Sequence, residues 1–121
     1  MSYKSVSVIG LGYIGLPTAA LIASHMHNVI GVDVNEDVVR SVNAGVLHTV
    51  EPGLADLLAE TVTKGWVRAV AAPEPAEVFI IAVPTPITED KKPDVSYVKA
   101  AALSLIPALR KGALVILEST S

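Results

Sequence analysis

A glycine-rich turn between an apolar strand and an Ala-rich helix restricts the fold of this chain more than any other feature. Val6, Val8 and Ile9 lie in the apolar run before the turn, whose sequence is Gly10-Leu11-Gly12-Tyr13-Ile14-Gly15. Asp33 closes the next apolar run, about 20 residues further on. A strand, a Gly-x-Gly-x-x-Gly turn, a helix and then an acidic residue together predict a dinucleotide-binding site.

Each position of this pattern has a physical role. Gly10 allows the tight turn, Gly12 lets the backbone approach a pyrophosphate because it lacks a Cβ, and Gly15 allows the first helix to pack against the sheet. The free N–H groups at the start of that helix would bind the phosphates. Asp33 would accept hydrogen bonds from the adenosine ribose, and its charge would repel the additional phosphate of NADP. NAD is therefore the expected cofactor, and a turn that only packs a helix on a strand is the less favoured alternative.

Apolar runs alternate with helical spacings along the whole chain. Strands are expected at Ser5–Ile9, Asn28–Asp33, Val67–Ala71, Val78–Val83 and Ala113–Leu117, the last of them buried. Helices are expected at Tyr13–Ser24, from the cap Asn35 to Gly45, from Pro52 to Gly65, and from the cap Asp94 to Gly112, with Arg110 and Lys111 in the last turn. This order predicts an α/β, Rossmann-like, doubly wound parallel sheet with helices on both faces.

Composition excludes several other classes of function. The chain has 121 residues, enough for one domain, and 51% of them are hydrophobic, as expected for a buried parallel sheet. A net charge of -3 gives no electrostatic reason to expect nucleic-acid or membrane binding. There is no cysteine for a disulfide, a thiolate metal site or a nucleophile. His25 and His27 are two apart on a helix and do not face each other, so no metal site is expected.

Three further segments are expected near the ligand-binding edge, at the carboxyl ends of the strands. They are Val83-Pro84-Thr85-Pro86, Glu118-Ser119-Thr120-Ser121 and Glu51-Pro52-Gly53-Leu54. Two prolines would stiffen the loop around Thr85 and hold its hydroxyl in place. On spacing alone, Thr85 and Thr120 are interpreted as ordinary turn residues, and Glu118 as structural rather than as a general base.

Taken in order with the glycine turn and Val32-Asp33-Val34-Asn35, these segments resemble the UDP-glucose/GDP-mannose dehydrogenase family over the whole chain. Members oxidise the C6 alcohol of a nucleotide sugar to the acid with two NAD+, through a thiohemiacetal on a cysteine. The stretches 80–86 and 111–121 most resemble members that act on UDP-N-acetyl-D-mannosamine in bacterial surface polysaccharide synthesis. UDP-glucose remains an alternative substrate.

The resemblance also implies site residues. Gly12, Tyr13 and Ile14 would lie along the pyrophosphate. Val83, Pro84 and Thr85 would belong to the cofactor site together with Thr120, and Thr85 and Thr120 would lie near the nicotinamide. Thr120 is the single catalytic candidate, because it could order a water molecule. Val38 stands five positions after Asp33, where relatives often carry a basic residue, so one cofactor contact of the family is not expected here.

Residues 1–121 are accordingly interpreted as the NAD-binding domain of a longer cytoplasmic enzyme. The cysteine nucleophile, a central dimer-forming helix and the sugar-binding domain would follow it, and the full-length enzyme would be a homodimer or a higher homo-oligomer. The isolated domain would be inactive. Two alternatives are a non-catalytic NAD-sensing module, which has no need of the segments 84–86 and 118–121, and a dehydrogenase of hydroxy acids or hydroxyacyl thioesters.

Overall fold

A computed structural model describes residues 5–12, 14–25, 27–46 and 53–118, and within these ranges the chain forms one five-stranded sheet. The spatial order is β3-β2-β1-β4-β5, and every neighbouring pair is parallel. The order reverses between β1 and β4, which creates the crevice where such sheets bind ligands. The strands are β1 (Ser5–Ile9), β2 (Asn28–Val32), β3 (Val67–Val70), β4 (Val78–Ile81) and β5 (Leu114–Leu117).

Helices cover both faces of this sheet. They are α1 (Gly15–Ser24), α2 (Glu36–Asn43), α3 (Leu54–Thr63) and α4 (Ser96–Leu105), which continues into a 3₁₀ turn at Ile106–Ala108. Leu16, Val42 and Leu58, one from each of the first three helices, share a core with Val8 of β1. Because strand side chains alternate, Ile9 points to the other face, into a second core with Phe79, Ala101 and Leu105. The predicted doubly wound α/β fold is confirmed.

The start and the end of α2 follow the predicted signals. The Asn35 side chain accepts a hydrogen bond from the N–H of Asp37 at 2.9 Å and so caps the helix. Gly45 has a φ of +73°, and its N–H donates to the carbonyl of Val42 at 2.9 Å. This left-handed residue turns the chain out of the helix. The predicted start of the next helix at Pro52 lies outside the described residues.

The prediction that the fourth helix would carry Arg110 and Lys111 in its last turn is wrong. The α-helix ends at Leu105, and the chain tightens into the 3₁₀ turn that contains Pro107. Proline lacks an N–H, and its ring would collide with the carbonyl four residues earlier, so the α-helical ladder cannot continue. Arg110 lies beyond the helix and donates to the carbonyls of Pro107 and Leu109, at 3.1 and 3.0 Å.

The prediction that the last strand is buried is also wrong. Its four apolar side chains, Leu114 to Leu117, are between 42% and 55% exposed. In the described part of the chain, β5 is an edge strand that pairs only with β4. An apolar run identifies a strand, but burial also requires elements on both sides of it.

Asp94 is expected to stabilise α4 in a pH-dependent manner. Hydrogen bonds from the side chain and the backbone of Ser96 lower the pKa of this carboxyl, and the backbone bond is 2.9 Å long. The stabilisation is therefore present above the unfolded pKa of about 3.9 and is lost as the pH falls through the lower folded value. Urea unfolding of the native protein and Asp94→Ala should show a stability difference at pH 7 that shrinks towards pH 3. Asp94→Asn, which keeps an acceptor but no charge, is the control, and a difference that does not change with pH would contradict this role.

Candidate functional site

A cleft of about 710 Å³ opens at the carboxyl ends of the strands. Its size is in the usual range for small-molecule sites, and most of its lining is apolar. The segments that follow the five strands contribute to the lining of the cleft, and α4 forms a further wall of it. The lining comprises Ile9 to Gly12, Ile14, Val32 to Val34, Ala71 to Pro73, Ala82 to Pro84, Tyr97, Ala100, Ala101, Ser104 and Glu118.

The three glycines of the turn are required for different reasons. Gly10 has a φ of +97°, and a Cβ there would lie 2.9 Å from the carbonyl oxygen of Ala82. A Cβ on Gly15 would lie 1.7 Å from the carbonyl oxygen of Gly10. Both positions are therefore dictated by contacts within the protein. A Cβ on Gly12 would meet no protein atom within 4 Å, so the space beside it is open to a ligand.

Asp33 connects the glycine turn to the end of β2. One carboxylate oxygen accepts a hydrogen bond from the N–H of Leu11 at 3.0 Å, and the other accepts one from Asn35 at 2.9 Å. The side chain is half-buried and lines the cleft. Each carboxylate oxygen has two lone pairs, so Asp33 can hold the turn and still accept bonds from ribose hydroxyls.

Leu11 is a residue of the turn whose importance the sequence reasoning missed. Its side chain is 1% exposed and packs over Gly31 of β2, where a Cβ would lie 2.9 Å from it. The bare backbone of Gly31 therefore provides the space that buries Leu11. A glycine inside an otherwise apolar strand was the signal for this close approach.

The positive end of α1 faces the same cleft. The N–H of Leu16 donates to the carbonyl of Gly12 at 3.1 Å, and Ile14 lines the cleft just before the helix. None of the residues in the first turn of α1 is itself acidic. The backbone can therefore bind an anion without a positively charged side chain.

The loop after β4 folds back on itself and supports the Pro84 side of the cleft. Ile87 and Pro93 form an antiparallel bridge, and the N–H of Thr88 donates to the carbonyl of Lys92 at 2.8 Å. A further bond of 2.7 Å joins the N–H of Asp94 to the carbonyl of Pro86. These hydrogen bonds restrain the loop that follows the two prolines predicted to stiffen it.

The structure brings together most of the residues predicted for the site. Those that line the cleft are Gly10, Gly12, Ile14, Asp33, Val83 and Pro84. Gly15 is buried behind them, and Thr85 is half-buried and does not belong to the lining. Tyr13 and Thr120 lie outside the described residues, as do Glu51 and Pro52.

Sequence reasoning also missed the apolar walls of the cleft. Val34 lies directly after Asp33 and is 92% exposed beside the cleft. Tyr97, Ala100 and Ser104 form a stripe on α4, and their spacing of three and four residues is that of one helix face. That spacing was readable, but only the fold shows that this face borders the cleft.

Neither a metal site nor a membrane-spanning helix is found among the described residues. No group of three or more His, Asp or Glu side chains there is placed to hold a metal ion. None of the described helices is both long and apolar enough to cross a bilayer.

Known proteins resemble this chain throughout its length. Residues 4–121 match the NAD-binding domain of the UDP-glucose/GDP-mannose dehydrogenase family. The whole chain is 54% identical to the UDP-N-acetyl-D-mannosamine dehydrogenase of Escherichia coli K12 and 51% identical to an NDP-N-acetyl-D-galactosaminuronic acid dehydrogenase of Ralstonia nicotianae. It spans 29% of the length of each of these two relatives.

A solved structure shows the same backbone. The UDP-N-acetyl-mannosamine dehydrogenase Cap5O from S. aureus superposes with a TM-score of 0.93 at 41% identity, over 98% of this chain and 29% of that one. The family match, the parallel sheet and the position of the cleft all indicate a dinucleotide-binding domain. The chain therefore belongs to the UDP-glucose/GDP-mannose dehydrogenase family, of which residues 4–121 form the NAD-binding domain.

Proposed function

We propose that this chain is the cofactor-binding domain of a longer enzyme that oxidises UDP-N-acetyl-D-mannosamine to UDP-N-acetyl-D-mannosaminuronate. The observation that carries the cofactor role is the open space at Gly12, between the start of α1 and the Asp33 carboxylate. The 54% identity to relatives named for this sugar supports the substrate. The 51% identity to a relative named for a galactosaminuronic acid makes other N-acetylated nucleotide sugars the principal alternative.

The residues of the cleft fit a dinucleotide. NAD+ supplies the hydride acceptor when it is bound. The Gly10–Gly12 backbone and the start of α1 would hold the pyrophosphate, and Asp33 would accept hydrogen bonds from the adenosine ribose. Val83 and Pro84 line the part of the cleft beyond the turn, on the side of β4. We assign the nicotinamide half to that side, because the two mononucleotide halves bind on either side of the point where the strand order reverses.

The cysteine nucleophile and the sugar-binding domain of the proposed enzyme would lie outside this chain. Conversion of an alcohol to an acid removes two hydrides, so the proposed enzyme uses two NAD+ for each sugar. The chain contains no cysteine, so a thiohemiacetal intermediate would require a cysteine from another part of the enzyme. We propose the same setting as the sequence resemblance implies, namely a cytoplasmic homo-oligomer that supplies uronic acid sugars for surface polysaccharides. Tyr13, Thr85 and Thr120 remain predicted cofactor residues, and Thr120 the predicted catalytic one.

The stoichiometry of the longer enzyme tests this proposal. Two NADH should form for each molecule of UDP-N-acetyl-D-mannosamine consumed, and little NADH should form with UDP-glucose, as followed by absorbance at the NADH band. Two NADH from UDP-glucose instead would change the substrate and keep the reaction. Binding of NAD without NADH formation from any nucleotide sugar would contradict the enzymatic role and favour a sensing module.

Gly12→Val should weaken NAD binding without unfolding the chain. The new side chain would meet no protein atom near its Cβ and would occupy the open space expected for the pyrophosphate. We expect the affinity for NAD to fall by about tenfold or more in titration calorimetry, with an unchanged circular dichroism spectrum. Gly15→Ala is the contrasting variant, because its Cβ would collide with the Gly10 carbonyl and should lower the melting temperature. Undiminished NAD binding by a folded Gly12→Val variant would contradict the assignment.

Asp33→Ala should weaken NAD binding and reduce the preference for NAD over NADP. The variant loses the charge that would repel the additional phosphate of NADP, and it also loses the acceptors for Leu11 and Asn35. The measurement is the ratio of the two dissociation constants, with Asp56→Ala as a control that removes an exposed acid of α3 outside the cleft. If the ratio in Asp33→Ala equals that of the control, Asp33 does not select the cofactor.

A further inference from the structure

Glu118 is a charged residue of the cleft for which the proposed function has no role. It directly follows β5, its side chain is half-buried, and it lines the cleft. The hydroxyl of Thr18 on α1 donates to its carboxylate, at 3.0 Å from one oxygen and 3.2 Å from the other. These contacts join two elements 100 residues apart in sequence and hold the carboxylate in place.

Glu118 and Asp33 are the only charged side chains among the described residues that line the cleft. They lie on opposite sides of the glycine turn, because Asp33 follows β2 and Glu118 follows β5 in the order β3-β2-β1-β4-β5. If Asp33 binds the adenosine ribose, Glu118 lies on the side of the cleft that binds the nicotinamide half of the cofactor.

The charge of the nicotinamide half of the cofactor changes during the reaction. The nicotinamide ring carries a positive charge in NAD+ and is neutral in NADH, whereas the pyrophosphate and the adenosine are the same in both. Repulsion between either acid and the pyrophosphate therefore cancels when the two forms are compared. A carboxylate in the nicotinamide half favours the cationic form, and the cleft lining described here offers no positively charged side chain to offset it.

We propose that Glu118 sets the redox preference of the site by binding NAD+ more tightly than NADH, with Thr18 as the residue that positions its carboxylate. This inference rests on the proposed function. An enzyme that needs two NAD+ for each sugar must release NADH before the second oxidation. A site that binds the neutral nicotinamide ring less tightly releases NADH faster.

The test is the ratio of the dissociation constants of NADH and NAD+ for this chain, from NADH fluorescence and from titration calorimetry. Glu118→Gln removes the charge but keeps an oxygen that can accept from Thr18. We expect NAD+ binding to weaken by about threefold to tenfold with NADH binding unchanged. The ratio of the NADH constant to the NAD+ constant should therefore fall in Glu118→Gln. Thr18→Val, which removes the hydroxyl donor, should also lower this ratio, but by less.

Glu77→Gln provides the matched control. Glu77 is exposed and directly precedes β4, at the amino ends of the strands and away from the cleft. The same loss of charge there should change neither dissociation constant. A Glu118→Gln variant with an unchanged ratio would overturn the inference, whether both constants change together or neither changes. A Thr18→Val variant with the native ratio would overturn the positioning role. Failure of the unsubstituted chain to bind either nucleotide would contradict the proposed cofactor site itself.

Discussion

The contact between the start of α1 and the Gly10 carbonyl determines where the parts of the site lie. Even one carbon atom on residue 15 would come within 1.7 Å of that oxygen, so the helix can begin so close to the turn only on a glycine. The helix then directs its positive end across the carboxyl edge of β1, where the strand order reverses. The position of an anion in this cleft follows from that one close approach.

A second set of interactions attaches the turn to the neighbouring strand. Leu11 is buried against Gly31, and its N–H donates to Asp33 at 3.0 Å. Asp33, the proposed ribose acceptor, therefore also holds the backbone of the glycine turn. A substitution at Asp33 would therefore remove the proposed ribose acceptor and the hydrogen bond to the turn together.

The electrostatics of the cleft explain how a lining without positively charged side chains can bind a dianionic pyrophosphate. Its two charged side chains in the described ranges, Asp33 and Glu118, are both acidic. Attraction for phosphate must therefore come from backbone N–H groups and the dipole of α1, which are directional and short-ranged. We propose that the two acids distinguish the two ends of NAD, Asp33 by the ribose hydroxyls and Glu118 by the charge of the nicotinamide ring.

The sequence by itself determined the order of strands and helices, the caps at Asn35 and Gly45, and the pairing of a glycine turn with Asp33. Those features depend on periodicity, backbone freedom and short-range hydrogen bonds, all of which are local. The predicted end of the fourth helix at Gly112 is wrong, because Pro107 stops the α-helical ladder before Arg110 and Lys111. Only the tertiary structure decided that β5 is exposed, that the Tyr97 stripe faces the cleft, and that Thr18 reaches Glu118. Burial and contact between distant segments depend on which elements pack side by side, and no local pattern in the chain carries that information.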